Sequence, residues 1–187
     1  DLVIGPGPQF SPGNTRAAFS TVRPDTAPGF VYDRLVVERA WNLPRYWQLV
    51  GRGTGQVTSD RLLYSEMLGF GGYDSVRGYH QRTLNGDMGW ILNLELGPRP
   101  YRFCTPRGRQ QQLRGYVFVD MGDAYTMHPQ PGEDRQDFLI STGVGMRYNI
   151  TNRLALRLDY GCALTDTPGQ PLSEQEIHLG VVTLFGP

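Results

Sequence analysis

The sequence predicts an all-β fold, an antiparallel transmembrane β-barrel segment of about seven or eight strands. Three observations carry this. Apolar and polar residues alternate with period two along most of the chain, and helical periodicity is nearly absent. The alternating stretches are long, about ten to thirteen residues, which matches a tilted membrane-crossing strand and exceeds the usual soluble length of about five or six. The connections alternate between short and long, as they do when short turns lie on the periplasmic side and long loops lie outside.

The strands follow in order as Phe30–Trp41, Tyr46–Thr58, Asp87–Leu96, Gln112–Met121, Asp137–Ile150, Arg153–Cys162 and Glu174–Phe185. Asp1–Gly5 reads as the tail of another strand, and Asn14–Val22 takes no assignment. Leu92, Leu94 and Leu96 alternate with Asn93 and Glu95; Leu154, Leu156 and Leu158 alternate with Ala155, Arg157 and Asp159. Arg52, Glu95, Arg147 and Arg157 stand in mid-strand on the polar face. In a barrel that face looks into a wet lumen, where charge costs little, while the apolar face meets lipid and every backbone group pairs within the sheet. Aromatic residues near the strand ends (Trp41, Tyr46, Trp47, Trp90, Phe138, Tyr148, Tyr160, Phe185) suit the two interfacial girdles. The links "NLPR" and "TNR" are tight turns, whereas 59–86, 122–137 and 163–173 are long, polar and rich in Gly and Pro. Gly97–Gln112 is long although it falls on the short side, and alternation assigns it no role.

Composition narrows the function. Formal net charge is zero, which gives no electrostatic footprint for nucleic acid. All eighteen basic residues are Arg. No run of about 18 apolar residues marks a transmembrane helix. The chain opens at Asp1 and reads as a processed or truncated piece. Cys104 and Cys162 fall at opposite strand ends, too far apart for an intrachain bridge. His80, His128 and His178 are scattered, no metal-ligand spacing is visible, and no nucleophile elbow or triad order points to an enzyme.

One stretch stands out, "GFGGYDSVRGYHQRTLNGDMG" from Gly69 to Gly89. Gly71 and Gly72 precede Val76-Arg77-Gly78-Tyr79, and "FVDMG" follows in a later strand as Phe118, Asp120 and Gly122. Phe118 and Asp120 share the polar face; Val117, Val119 and Met121 form the lipid face. These motifs resemble the VRGY/F loop and the F-x-D-x-G strand of the outer-membrane protein-assembly and two-partner-secretion superfamily. "LNGDMG" and the Tyr73-Asp74-Ser75 lead-in look most like the ShlB/FhaC/HecB haemolysin secretion and activation proteins, and less like the barrel-assembly factor BamA.

The resemblance implies that this chain is the C-terminal part, residues 1–187, of a sixteen-stranded barrel whose upstream strands and periplasmic POTRA domains lie outside it. It implies that the loop at about 60–86 folds back into the pore and that Arg77 meets Asp120. It implies a pore that translocates and activates an unfolded secreted exoprotein of haemolysin or adhesin type, in the bacterial outer membrane. Its partners would be that exoprotein, outer-membrane lipid and, during biogenesis, the barrel-assembly machinery, with no cofactor, no metal and no nucleic acid. Phe185, in phase with the lipid face, takes the place of the terminal aromatic read during assembly, although Gly186-Pro187 follow it. Two other readings stay open: a barrel-insertion factor, and a passive β-barrel or soluble β-sandwich binding module.

Overall fold

The structure, a computed structural model, describes residues 2–4, 13, 15–104, 110–151, 154–167 and 170–183. Its sheet is a meander of β1 (Leu2–Ile4), β2 (Val31–Asn42), β3 (Trp47–Thr58), β6 (Met88–Pro98), β8 (Gln110–Tyr125), β9 (Gln136–Thr151), β10 (Leu154–Ala163) and β11 (Gln175–Thr183), each antiparallel to the next. A ninth strand, β7 (Tyr101–Cys104), also pairs with β8. Two further strands, β4 (Leu68–Phe70) and β5 (Leu84–Gly86), form a separate pair within the long loop. Among the described residues the sheet is open, with β1 and β11 at its two ends.

Side chains obey the period-two rule, but the usual inside and outside are exchanged. One face is exposed and apolar, with Leu35, Val37, Val117, Val144, Leu158, Leu179 and Val181. In water such a patch would drive association; against lipid it is the correct surface. Trp41, Tyr46 and Trp47 crowd one end of this face, and Trp90 and Phe138 meet near the other with ring centroids 6.4 Å apart. The opposite face is polar and is covered by the long loop. The main apolar cluster lies between loop and sheet: Leu68, Phe70, Val76 and Tyr79 from the loop pack on Ile91, Ala124, Leu139 and Ala163. Each large side chain so buried contributes about 1.5–3 kcal/mol, which offsets part of the cost of ordering a Gly-rich segment.

Three features depart from the alternation reading. Arg16–Val22 forms a short helix, α1, with Thr15 Oγ1 capping the Ala18 N–H at 3.1 Å. It ends at Arg23, whose backbone is extended ahead of Pro24, as the residue before a proline prefers. The 59–86 segment carries strands of its own. The unassigned Gly97–Gln112 stretch gains a role in part. Pro98 and Pro100 interrupt β6, because proline has no N–H to give the ladder. The chain then resumes as β7 on the same edge of β8, with Tyr101 opposite Leu113 and Cys104 opposite Gln110. The sheet therefore has eight rails, one of them broken. Cys104 lies level with Gln110 and Cys162, through Thr142, level with Val119. At about 3.3 Å per residue that is a separation of roughly 30 Å.

At the long-loop end of the sheet, Arg61 joins the long loop to the β8–β9 connection. It donates to Met127 O (3.1 Å) and His128 O (2.8 Å) and makes a two-pronged pair with Glu133 (2.6 and 2.8 Å). Hydrogen bonding from Arg61 holds the Glu133 carboxyl below its ordinary value of 4.5. A depressed folded-state pKa stabilises the docked connection above the unfolded value, and that stabilisation is lost as pH falls through the folded one. Limited proteolysis within 126–135 should therefore accelerate only as pH drops below about 4.5, and Glu133→Gln should remove that pH dependence.

Candidate functional site: the loop tip against the barrel wall

The loop tip is a tight turn. The Gly72 N–H donates to Val76 O (3.2 Å), and Ser75 Oγ donates to Gly71 O (3.0 Å). Asn93 of β6 holds it from below by donating to Ser75 O (2.5 Å). This presents Arg77, only 2% exposed, to the sheet. Arg77 Nε and Nη2 grip the two oxygens of Asp120 at 2.6 and 2.8 Å, and its backbone N–H adds a third bond to the same carboxylate at 3.1 Å. Nη1 reaches Glu95 (3.0 Å) and Asp159 (3.3 Å). One guanidinium thus spans β6, β8 and β10 through three buried carboxylates. The planar fork suits this, since a Lys point charge could not match both oxygens of Asp120.

The F-x-D-x-G strand supplies three distinct surfaces. The Phe118 ring lies under the guanidinium, 3.7 Å from its carbon to the ring centroid, a cation–π contact strengthened by exclusion of water. Asp120 pairs. Gly122 stays within β8, on the loop-covered face, and makes room for Phe70: a Cβ there would lie 2.8 Å from the Phe70 ring. On β9 the facing positions are Gly143 and Gly145, opposite Phe118 and Tyr116. Added Cβ atoms there would meet the Phe118 Cζ at 2.6 Å and the Tyr116 ring at 2.4 Å. These gaps let the two rings lie flat beneath the loop.

Other groups extend the network. Tyr116 Oη donates to Asp159 (2.6 Å), and Arg157 Nε donates to the same carboxylate (2.5 Å) while its guanidinium lies 4.0 Å over the Tyr73 ring. Arg147 and Arg114 share Glu95 at 2.7 and 3.4 Å. Four Arg and three acids leave the cluster near neutrality, the condition under which buried charges are tolerable.

Past Arg77 the backbone passes close to β10. Gly78 has φ +90°, and a Cβ on Gly161 would lie 2.6 Å from Gly78 N. Tyr79 buries its ring and sets its hydroxyl 2.9 Å from Ile140 O and 2.8 Å from Thr165 O. Gln170 brackets this residue, donating to Gly78 O (2.9 Å) and accepting from the His80 N–H (3.0 Å).

Of the four mid-strand charges singled out in the sequence, Glu95, Arg147 and Arg157 join the cluster. Arg52 does not: it lines a cavity of about 260 Å³ between the loop tip and β3, together with Glu38, Asp74 and the cluster's edge, and is half-buried without an ion pair among the described residues. Phe185 lies outside the described residues. Sequence reasoning missed Asp159, Tyr116 and the Gly143/Gly145 pair as site residues. The two glycines at successive same-face positions of β9, 143 and 145, were the available signal.

With the geometry in place, comparison with known proteins identifies the fold. Two solved structures are similar to the chain. CdiB from Escherichia coli gives a TM-score of 0.67 at 19% identity, covering 86% of this chain and 29% of that one. CdiB from Acinetobacter baumannii gives 0.57 at 20% identity, covering 82% and 27%. The chain therefore spans less than a third of the length of those proteins. Compared with curated protein sequences, it finds no match. The family described as haemolysin secretion/activation protein ShlB/FhaC/HecB, whose members are outer-membrane transporters of Gram-negative bacteria, matches residues 17–148. That match runs from α1 through most of β9 and includes both motifs, and the chain belongs to this family.

Proposed function

We propose that this chain is the loop-bearing part of an outer-membrane pore that translocates an unfolded secreted partner protein. In this reading the loop at about 60–86 lies in the lumen and is held there by Arg77. The observation that carries it is a single buried guanidinium bonded to carboxylates on three strands. A surface loop has no use for such an anchor, because exposed pairs contribute only about 0–1 kcal/mol. A loop that occupies a transport path needs one strong enough to hold and local enough to release. Family membership supports the same reading.

The lining of the 260 Å³ cavity is the first surface a passing chain would meet beside the tip, and Arg52 is its cation without an ion pair among the described residues. Weak, exchangeable contacts with backbone carbonyls and acidic side chains would let a polypeptide move without sticking. Lipid covers the apolar face, and the assembly machinery inserts the barrel.

The test uses the full-length transporter in cells, with the exoprotein arrested in transit by a fused folded domain. A photo-crosslinker attached at Arg52→Cys should capture the arrested chain; one at Leu179→Cys, on the apolar face, should not. Capture at both positions, or at neither while secretion proceeds through the barrel, would refute the path.

A further inference from the structure

The "LNGDMG" segment contains a second buried charge that the loop tip does not use. Asp87, 0% exposed, stands at the root of the loop just before β6, and its carboxylate accepts four hydrogen bonds. Oδ1 accepts from Arg23 Nη1 (2.5 Å) and the Leu62 N–H (2.8 Å); Oδ2 accepts from Arg23 Nη2 (3.1 Å) and the Met127 N–H (2.8 Å). Arg23, 2% exposed, also donates to Leu62 O (2.6 Å) and lies 5.5 Å over the Tyr64 ring. Gln56 of β3 donates to Asp87 O at 2.8 Å.

These donors come from three different connections. Arg23 follows α1 between β1 and β2. Leu62 lies on the first limb of the long loop, and Met127 opens the β8–β9 connection. Leu62 is fully buried with Phe30, Tyr32 and Met67 in an apolar cluster separate from that of the tip. Asp87 is eight residues from Glu95 along β6, about 27 Å at strand rise. Arg77 and Arg23 therefore act on different ends of one loop through different acids.

We infer that Arg23 and Asp87 form a second anchor, which holds the root of the loop and ties three outer connections into one cover, independently of the Arg77 anchor at the tip. The two are positioning residues. Release of the tip leaves the root fixed, so the loop moves as a tethered flap and not as a free strand. A charge-assisted pair with both partners buried fits this role, because removing either strands the other. The consequence for secretion rests on the pore reading above; the anchor itself does not.

Hydrogen exchange on the full-length transporter in detergent tests it, with wild type, Arg23→Gln, Asp87→Asn and Arg77→Met compared. In Arg23→Gln, peptides holding the Leu62 and Met127 amides should exchange about tenfold faster or more, while those holding the 75–79 amides keep wild-type protection. Arg77→Met should give the reverse pattern. Joint loss of protection in both regions under either variant, or unchanged protection at Leu62 and Met127 in Arg23→Gln, would overturn the inference. If the Asp87 or Arg23 variant does not assemble, wild type in rising denaturant decides: two separate openings support two anchors, and one common opening contradicts them. Secretion assays on the same proteins report on the pore reading separately.

Discussion

Replacing Arg77 by Met is expected to undock the loop tip, and to do so more severely than replacing Asp120 by Asn. The asymmetry follows from how the charges are shared. Among the described residues, the hydrogen bonds and ion pairs of the Asp120 carboxylate all go to Arg77, so Arg77→Met leaves a fully buried carboxylate without its ion-pair partner. Breaking a buried pair in this way costs about 3–5 kcal/mol, which lowers the docking equilibrium constant by roughly two to four orders of magnitude. Asp120→Asn leaves Arg77 with Glu95 and Asp159 within 3.3 Å and the Phe118 ring beneath it, so the loss is smaller. The same sharing predicts that exchanging the two charges does not restore function. An Asp at position 77 would face Glu95 and Asp159, both buried, so Arg77→Asp with Asp120→Arg should be no better than either change alone. Amide exchange of residues 75–79 and secreted exoprotein are the readouts. Equal effects of the two single changes, or recovery in the exchanged pair, would mean that Arg77 and Asp120 act as an isolated couple.

The second large effect comes from a change that touches no charge. Gly161→Val should also expel the loop tip. A Cβ at 161 would lie 2.6 Å from Gly78 N, 2.8 Å from Gly78 Cα and 3.0 Å from Arg77 C, all backbone atoms that cannot rotate aside. The loop cannot shift without lengthening the Arg77 bonds, and β10 cannot shift without breaking its ladders to β9 and β11. Overpacking of this kind costs about 1–3 kcal/mol or more when backbone meets backbone. Gly115→Val is the control: it lies on the exposed face of β8, its nearest atom is 4.0 Å away, and it should be silent in both assays. Normal protection at 75–79 in Gly161→Val would show that the close passage is dispensable.

The strands were legible because a membrane barrel writes its fold in a local code. Leu154, Leu156 and Leu158 against Arg157 and Asp159 declare their faces without any knowledge of neighbours. What escaped was what tertiary packing decides. The helix at Arg16–Val22 is seven residues long and fully buries none of its side chains, with Phe19 alone packing partly against the Leu62 cluster, so it has no apolar stripe to betray it. Strands β4 and β5 are three residues each, too short for a period to show, and β4 sets Phe70 against Gly122. The alternation also could not distinguish Arg52 from Arg147: both are mid-strand charges on the polar face, and only register decides that Arg147 reaches Glu95. The two motifs directed attention to Arg77 and Asp120. Asp159 and Tyr116 carry no motif, and their contribution depends on β9 being stripped to Gly143 and Gly145 between them. The Arg23–Asp87 pair joins residues 64 apart in sequence, a separation over which no local pattern speaks.

The most direct measurement is a distance across the loop tip in the native membrane. Asn93 donates to Ser75 O at 2.5 Å, which sets the tip against the polar face of β6. In full-length protein with Cys104 and Cys162 replaced by Ser, the pair Ser75→Cys and Asn93→Cys should be bridged rapidly by a short bifunctional thiol reagent in intact outer membranes. Asp74→Cys paired with Leu179→Cys, on opposite faces of the sheet, should not be bridged. Efficient bridging at 75–93 is the result expected for a loop seated inside the barrel. Failure to bridge, with both cysteines individually reactive, would place the loop outside and contradict the account.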